Sequence, residues 1–200
     1  MIDPILSILQ LEGEALYKIV RLRDTVRIPP DRFGEEKSAV VEKLLREDYE
    51  GVLDKDLGLI ICVTGVNKVG RGIITPGDGA TYHDTEFEVL TYRPELQEIT
   101  LGQVVEIVDF GAFVRLGPLD GLVHVSQITD DFIIHDKKNA RFIGKESNRV
   151  LREGDQVRAR TVAISIKGGP TISGKIALTM RQPGLGKLEW VEEDKKEGGE

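Results

Sequence analysis

Two phenylalanines, an arginine and a histidine lie close together in "FGAFVRLGPLDGLVHVSQI", residues 110–128. Flat rings beside cationic side chains can hold single-stranded nucleic acid, because each base–aromatic stack contributes roughly 1–3 kcal/mol and a cation attracts the phosphate. Alternation sorts the stretch: Ala112, Val114 and Leu116 share one face of an extended segment, Phe113 and Arg115 the other. The small and branched set suits a closed interior, which leaves Phe113 outside beside a cation. Phe110, just before the bend at Gly111, and His124 on the next segment can present flat groups to the same surface. Farther along, Arg158, Arg160 and Lys175 could supply phosphate contacts. A second reading stays open on alternation alone, in which both rings and the imidazole pack under the polar segment 129–149 or against another domain.

Other chemistry finds no support. His83, His124 and His135 are far apart, with no HxH or HExxH spacing and no cysteine pair, so neither a metal site nor a cofactor is expected. Asp78, His83 and Asp84 cluster in "GDGATYHD", which reads as a turn entering an edge strand rather than a catalytic group. There is no GxSxG and no GxxxxGK followed by Ser or Thr, and no catalytic residue is assigned. The single cysteine, Cys62 in "GLIICVTGV", reads as a buried structural thiol, excludes an internal disulfide and suits a reducing compartment; the expected place is the cytoplasm. The apolar runs fall well short of the roughly 20 residues that span a bilayer, and no charged segment of signal-peptide type precedes "MIDPILSILQL".

The net charge of −7 argues superficially against a nucleic-acid partner. Its distribution argues otherwise. Residues 1–100 hold 12 basic and 19 acidic side chains, residues 101–182 hold 12 and 9, and residues 183–200 hold 3 and 6. The central segment is locally basic, which fits modest phosphate attraction.

Two modules must position these residues. Residues 1–16 form an extension, with a short amphipathic helix expected after Pro4. "LYKIVRLR" alternates as a strand, and Pro29-Pro30 must end it by removing two amide donors. "EEKSAVVEKLLREDYEG" predicts a helix: Val40/Leu44 and Val41/Leu45 stack at i,i+4, Glu35 and Glu36 sit at its positive end, and Gly51 is placed as C′. "GLIICVTGV" reads as a buried strand and "GRGIITPGDGATYH" as a dense cluster of turns. "TYHDTEFEVLTYRP" alternates Phe87 and Val89 against Glu86 and Glu88; residues 81–93 are expected to form a long strand, at a sheet edge open to a partner. A helix on a small antiparallel sheet results. After Pro94 the texture turns all-β. Five short strands, ending with "GDQVRARTVAISIK" and "GKIALTM", fit a small closed barrel such as the OB-fold. Segment 129–149 is longer than a turn requires and is expected to carry structure or a contact surface. In the tail, Leu188, Trp190 and Val191 suggest docking on this chain or a partner, or an ordinary surface turn, ahead of disordered charged residues.

Taken together, these segments resemble a known family. "FGAFVRLGPLDGLVHVSQI", "EGDQVRARTVAIS" and "KIALTMRQPGLGKLEW" resemble an S1-type RNA-binding barrel of the kind found in the archaeal RNA polymerase subunit seven, also called E-prime. "YKIVRLRDTVRIPPDRFG", "YEGVLDKDLGLIICV" and "GDGATYHDTEFEVLTYRPELQE" resemble the N-terminal domain of that family. The resemblance implies an α+β, mostly β chain: a truncated RNP-like docking domain at 17–97, an S1 domain at 98–182 and a tail at 183–200, with 1–16 lying outside the pattern. It implies a non-catalytic stalk subunit that docks on the polymerase core, binds emerging transcript without strong sequence preference, and supports promoter opening, elongation and termination. A small helical polymerase protein, subunit four (also called F), is the implied heterodimer partner. The S1 aromatic positions fall on Phe110, Phe113 and His124, with Lys175 near an often basic position. The alternative is an S1 component of another RNA-processing or translation assembly, which would be expected to pair the barrel with a KH module or a helical domain. An S1-bearing ribonuclease would need a large acidic catalytic domain for which there is no room.

Overall fold

A computed structural model describes residues 7–12, 16–167 and 173–197. The chain divides into two compact units: Met1–Arg93 with Ile166–Ser173, and Pro94–Ser165 with Gly174–Glu200.

In chain order the first unit contains β1 (Ser7–Glu12), β2 (Tyr17–Ile28), α1 (Lys37–Tyr49), β3 (Leu53–Asp54), β4 (Gly58–Ile74) and β5 (Thr81–Tyr92). The strands form one antiparallel sheet in the order β1-β2-β5-β4-β3. β2 stops at the two prolines, which begin a short 3-10 turn at Pro30–Arg32. Val40, Val41, Leu45 and Tyr49 make the buried stripe of α1, packed with Val20, Leu22, Ile60, Phe87 and Val89 of the sheet. The helix ends as Glu50 turns extended and Gly51 takes φ +77°. Gly51 N–H then donates to Ile60 O at 2.9 Å, so the glycine hands the chain to the sheet instead of closing the helix on itself.

The other face of β2 and β5 is polar. Arg21 meets Glu88 at 2.7 Å, Arg27 grips Asp78 at 2.8 and 2.9 Å, and Arg23 pairs with Asp84. Hydrogen bonds from these guanidiniums hold all three carboxyls below the usual carboxylate range, helped at Glu88 by Asn67 and at Asp78 by Tyr82. These three arginines are therefore committed to carboxylates rather than offered to phosphate.

Several expectations for this unit change. Ser7–Glu12 is a strand paired with β2, not a helix, because β2 offers it a free edge; Pro4 lies outside the described residues. "GRGII" is not part of the turn cluster. β4 carries its pairing with β5 through Gly72, Ile73 and Ile74, absorbing the glycines as register shifts, and the bend is confined to residues 75–80. β5 is central, flanked by β2 and β4, so it is no edge. Cys62, next to one of those shifts, is half-buried rather than buried.

The second unit contains β6 (Ile99–Val108), β7 (Gly111–Arg115), β8 (Asp120–His124), β9 (Ile133–Asp136), β10 (Arg141–Gly144), β11 (Val150–Arg152), β12 (Gln156–Lys167), β13 (Ser173–Thr179), β14 (Gly186–Lys187) and α2 (Leu188–Glu197). One sheet runs β13-β8-β7-β6-β12-β14, and a further β13–β12 pairing closes five of these strands into a barrel. The expected α+β, mostly β architecture with a five-stranded OB-type barrel is the one observed. Val104, Ala112, Val114, Val123, Val157, Ala159, Ile176 and Leu178 are buried. Apart from buried Gly111 and Thr179, their neighbours along the strands are exposed or half-exposed, as a closed barrel requires. Segment 129–149 supplies most of a separate three-stranded antiparallel sheet, β11-β10-β9, with Phe142 and Leu151 buried. Residues 192–197, in the charged stretch where disorder was expected, continue a helix. Residues 188–197 form α2, anchored by buried Trp190 and Val191 and by pairing of Arg149 with Asp194.

Candidate nucleic-acid interface

The register of β7 on β8 opposes Gly111 to His124, Phe113 to Leu122 and Arg115 to Asp120. Residues directly opposite share a face of the sheet. Because Ala112, Val114, Gly121 and Val123 are buried, Phe113, Arg115, Leu122 and His124 occupy the outer face. Phe110 sits in the two-residue turn between β6 and β7. It is 51% exposed, and its ring meets that of Phe113 edge-on at 6.3 Å and 83°. β13 runs parallel beside β8 with Ala177 opposite Leu122, so exposed Lys175, two residues earlier, belongs to the same face. Five of the seven candidate residues thus share one outer face: Phe110 and His124 at one end, Phe113 between, and Arg115 and Lys175 level with Asp120 at the other. The reading that buries the rings under segment 129–149 does not hold for Phe110 and His124, which are exposed; Phe113 is half-buried.

Their electrostatics differ. Arg115 Nε lies 3.2 Å from Asp120 Oδ1, which offsets part of its charge. Ser126 N–H donates to His124 Nδ1 at 3.3 Å, so the neutral imidazole carries its proton on Nε2 and keeps a donor.

Arg158 and Arg160 do not join the group. β12 pairs with β6 so that Arg158 opposes Leu101 and Arg160 opposes Ile99, whereas Phe113 opposes Glu106. Along β6, five residues separate the partner of Phe113 from that of Arg158 and seven from that of Arg160, about 16 and 23 Å at the usual rise of a strand. Arg158 Nη1 donates to Gly184 O at 3.3 Å, and Arg160 Nε is buried without a hydrogen-bond partner among the described residues. Alternation put both arginines on an outer face correctly but carried no information on which outer face.

Two groups absent from the sequence-based set adjoin Phe110. Lys137 Nζ donates to Asp109 Oδ2 at 2.8 Å, and His135 Nδ1 lies 3.1 Å from Asp109 Oδ1. They come from the insertion sheet, whose signal in the sequence is the length of the polar segment 129–149. Among the described residues no group of three or more His, Cys, Asp or Glu side chains is placed to hold a metal. No helix among them is long and apolar enough to cross a membrane.

Gly111 holds the platform together. A Cβ there would fall inside contact distance of the Val123 carbonyl oxygen and 3.0 Å from His124 Cα. Gly111→Ala is expected to force β7 from β8 and destabilise the fold by about 1–3 kcal/mol, measured by denaturant unfolding.

Two family models match the chain: "SHS2 domain found in N terminus of Rpb7p/Rpc25p/MJ0397" over residues 23–79, and "S1 RNA binding domain" over residues 93–170. DNA-directed RNA polymerase subunit Rpo7 of Saccharolobus solfataricus is 45% identical over 184 residues, covering 90% of this chain and 100% of the relative. The Rpo7 subunit of Sulfolobus acidocaldarius is 41% identical over 179 residues, covering 90% and 97%. DNA-directed RNA polymerase III subunit RPC8 of Bos taurus is 29% identical over 108 residues, covering 54% and 53%. With both domains matched in order and whole archaeal relatives spanned, this chain belongs to the Rpo7 family of DNA-directed RNA polymerase subunits.

Proposed function

We propose that this chain is a non-catalytic stalk subunit of an archaeal-type RNA polymerase. Residues 17–97 dock it on the core enzyme, and residues 98–182 bind the emerging single-stranded transcript during promoter opening, elongation and termination. The small helical subunit four is its heterodimer partner, and the complex works in the cytoplasm. The observation that carries the reading is the outer barrel face, where Phe110, Phe113 and His124 stand with Lys175 in a domain of the S1 RNA-binding type. Bases stack on the rings, His124 Nε2 donates to a base edge or ribose, and Lys175 meets a phosphate.

Docking has its own candidate surface. Ile73 and Ile74, at the end of β4, are each 69% exposed, and Phe33 is exposed as well. These open apolar side chains are the candidate docking contacts. Ile73→Asp with Ile74→Asp is expected to abolish co-purification with polymerase core while leaving RNA affinity unchanged. Undiminished recovery of the variant with the core overturns docking through this end of the sheet.

A further inference from the structure

We propose that the insertion sheet extends the RNA track of the barrel by one nucleotide subsite, a cleft beside Phe110 in which the ring meets a base and Lys137 takes a phosphate. Asp109 is the exchangeable counter-ion that positions Lys137 until RNA arrives. The inference rests on the reading of the barrel face as an RNA platform.

The cleft has a volume of about 420 Å³ and is lined by Ile107, Val108, Asp109, Phe110, His135 and Lys137, with Ala140 at its rim. It is a shallow, open depression, suited to one flat base rather than to an enclosed ligand. Phe110 belongs to both places: its ring edge contacts Phe113 on the platform, and its side chain walls the cleft. A strand leaving the platform along Phe110 therefore meets the cleft next.

The opposite wall is built in advance. The turn from β9 to β10 is pinned by Asp136, which accepts from Asn139 Nδ2 at 2.7 Å and from Arg141 Nε at 2.9 Å. Ala140 sits in that turn at φ +43°, a left-handed conformation that a side chain disfavours and that the surrounding bonds must hold. The held turn fixes the backbone that carries Lys137, so only its side chain must be ordered when it engages a ligand.

The counter-ion exchange follows from what surrounds Asp109. The hydrogen bond from Lys137 holds the Asp109 carboxyl below the usual range, yet both side chains are solvent-exposed, the setting in which ion pairs contribute least. A phosphate, with its released counterions, competes well for such a lysine. On its far side Asp109 lies 3.1 Å from His135 Nδ1, whose ring packs on Phe142 with centroids 4.9 Å apart, so the carboxylate keeps a partner when Lys137 turns to a phosphate.

The test is fluorescence anisotropy of the full chain with a short labelled oligouridylate across a salt series. Lys137→Ala is expected to weaken binding several-fold and lower the salt slope by about 0.7, the value of one phosphate contact on a single strand. Asp109→Asn is expected to tighten binding, and the gain should vanish in the Asp109→Asn/Lys137→Ala double variant. Lys137 and Asp109 are exposed, so neither change threatens the core. Unchanged affinity and slope in Lys137→Ala overturn the subsite. Phe113→Ala, outside the cleft, separates the two levels: if it still weakens binding the platform stands and only the subsite falls, and if it too has no effect the platform falls and takes the subsite with it.

Discussion

Trp190→Ala is expected to destabilise the second unit by about 3–5 kcal/mol, the range for emptying a buried aromatic site. Trp190 lies in the first turn of α2 and is only 7% exposed. Its ring rests against Gly186, where an added Cβ would come 3.3 Å from Cε3, and it shares a small cavity with Ile128, Met180 and Leu185. The guanidinium of Arg149 stands 5.7 Å from the ring centre and pairs with Asp194 on the same helix as the tryptophan. The substitution thus removes a buried ring and one side of a cation–π contact together. Denaturant unfolding of the full chain measures it, with Trp190→Phe recovering part of the loss. A change within about 0.5 kcal/mol, typical of a surface position, would mean that α2 is a dispensable tail.

The second large effect concerns RNA. Phe110→Ala combined with Phe113→Ala is expected to weaken binding of single-stranded RNA at least about thirtyfold, since two stacks of roughly 1–3 kcal/mol each are lost and 1.4 kcal/mol is a factor of ten. The fold should survive, because Phe110 is exposed and Phe113 is half-buried outside the barrel interior. The salt dependence should persist, because Lys175 and the other cations are untouched. Filter binding at several salt concentrations reads both quantities. Equal affinity for the wild-type and doubly substituted chains would remove the platform.

Much of this arrangement was legible in the residues themselves. A strand has a period of two, so Ala112, Val114 and Leu116 declared their face, and Phe113 and Arg115 were left on the other. The same logic worked for Phe87 and Val89 against Glu86 and Glu88. What alternation cannot supply is the neighbour across the sheet. Arg158 and Arg160 passed the face test but are carried by β12, which meets β6 far from Phe113. The glycines of "GRGII" looked like turn residues because they are favoured in turns; tertiary pairing with β5 overrode that preference. Lys137 and Asp109 gave no local sign, since their meeting depends on how the insertion sheet packs beside the β6–β7 turn. Trp190 was visible as an amphipathic anchor, but its place beside Gly186, Met180 and Leu185 is set by tertiary packing.

The pairing of β13 with both β8 and β12 sets an order of events during synthesis. Every strand of the first sheet lies before Arg93, so that sheet is fully translated while the barrel is still incomplete. The barrel cannot close until residues 173–179 have left the ribosome, and closure must then join them to residues 120–124 across the whole insertion. Such distant contacts are slow to form, whereas a leading domain can fold as soon as it emerges. The first sheet is therefore the earliest part of the nascent chain able to fold, and the barrel is the last to close.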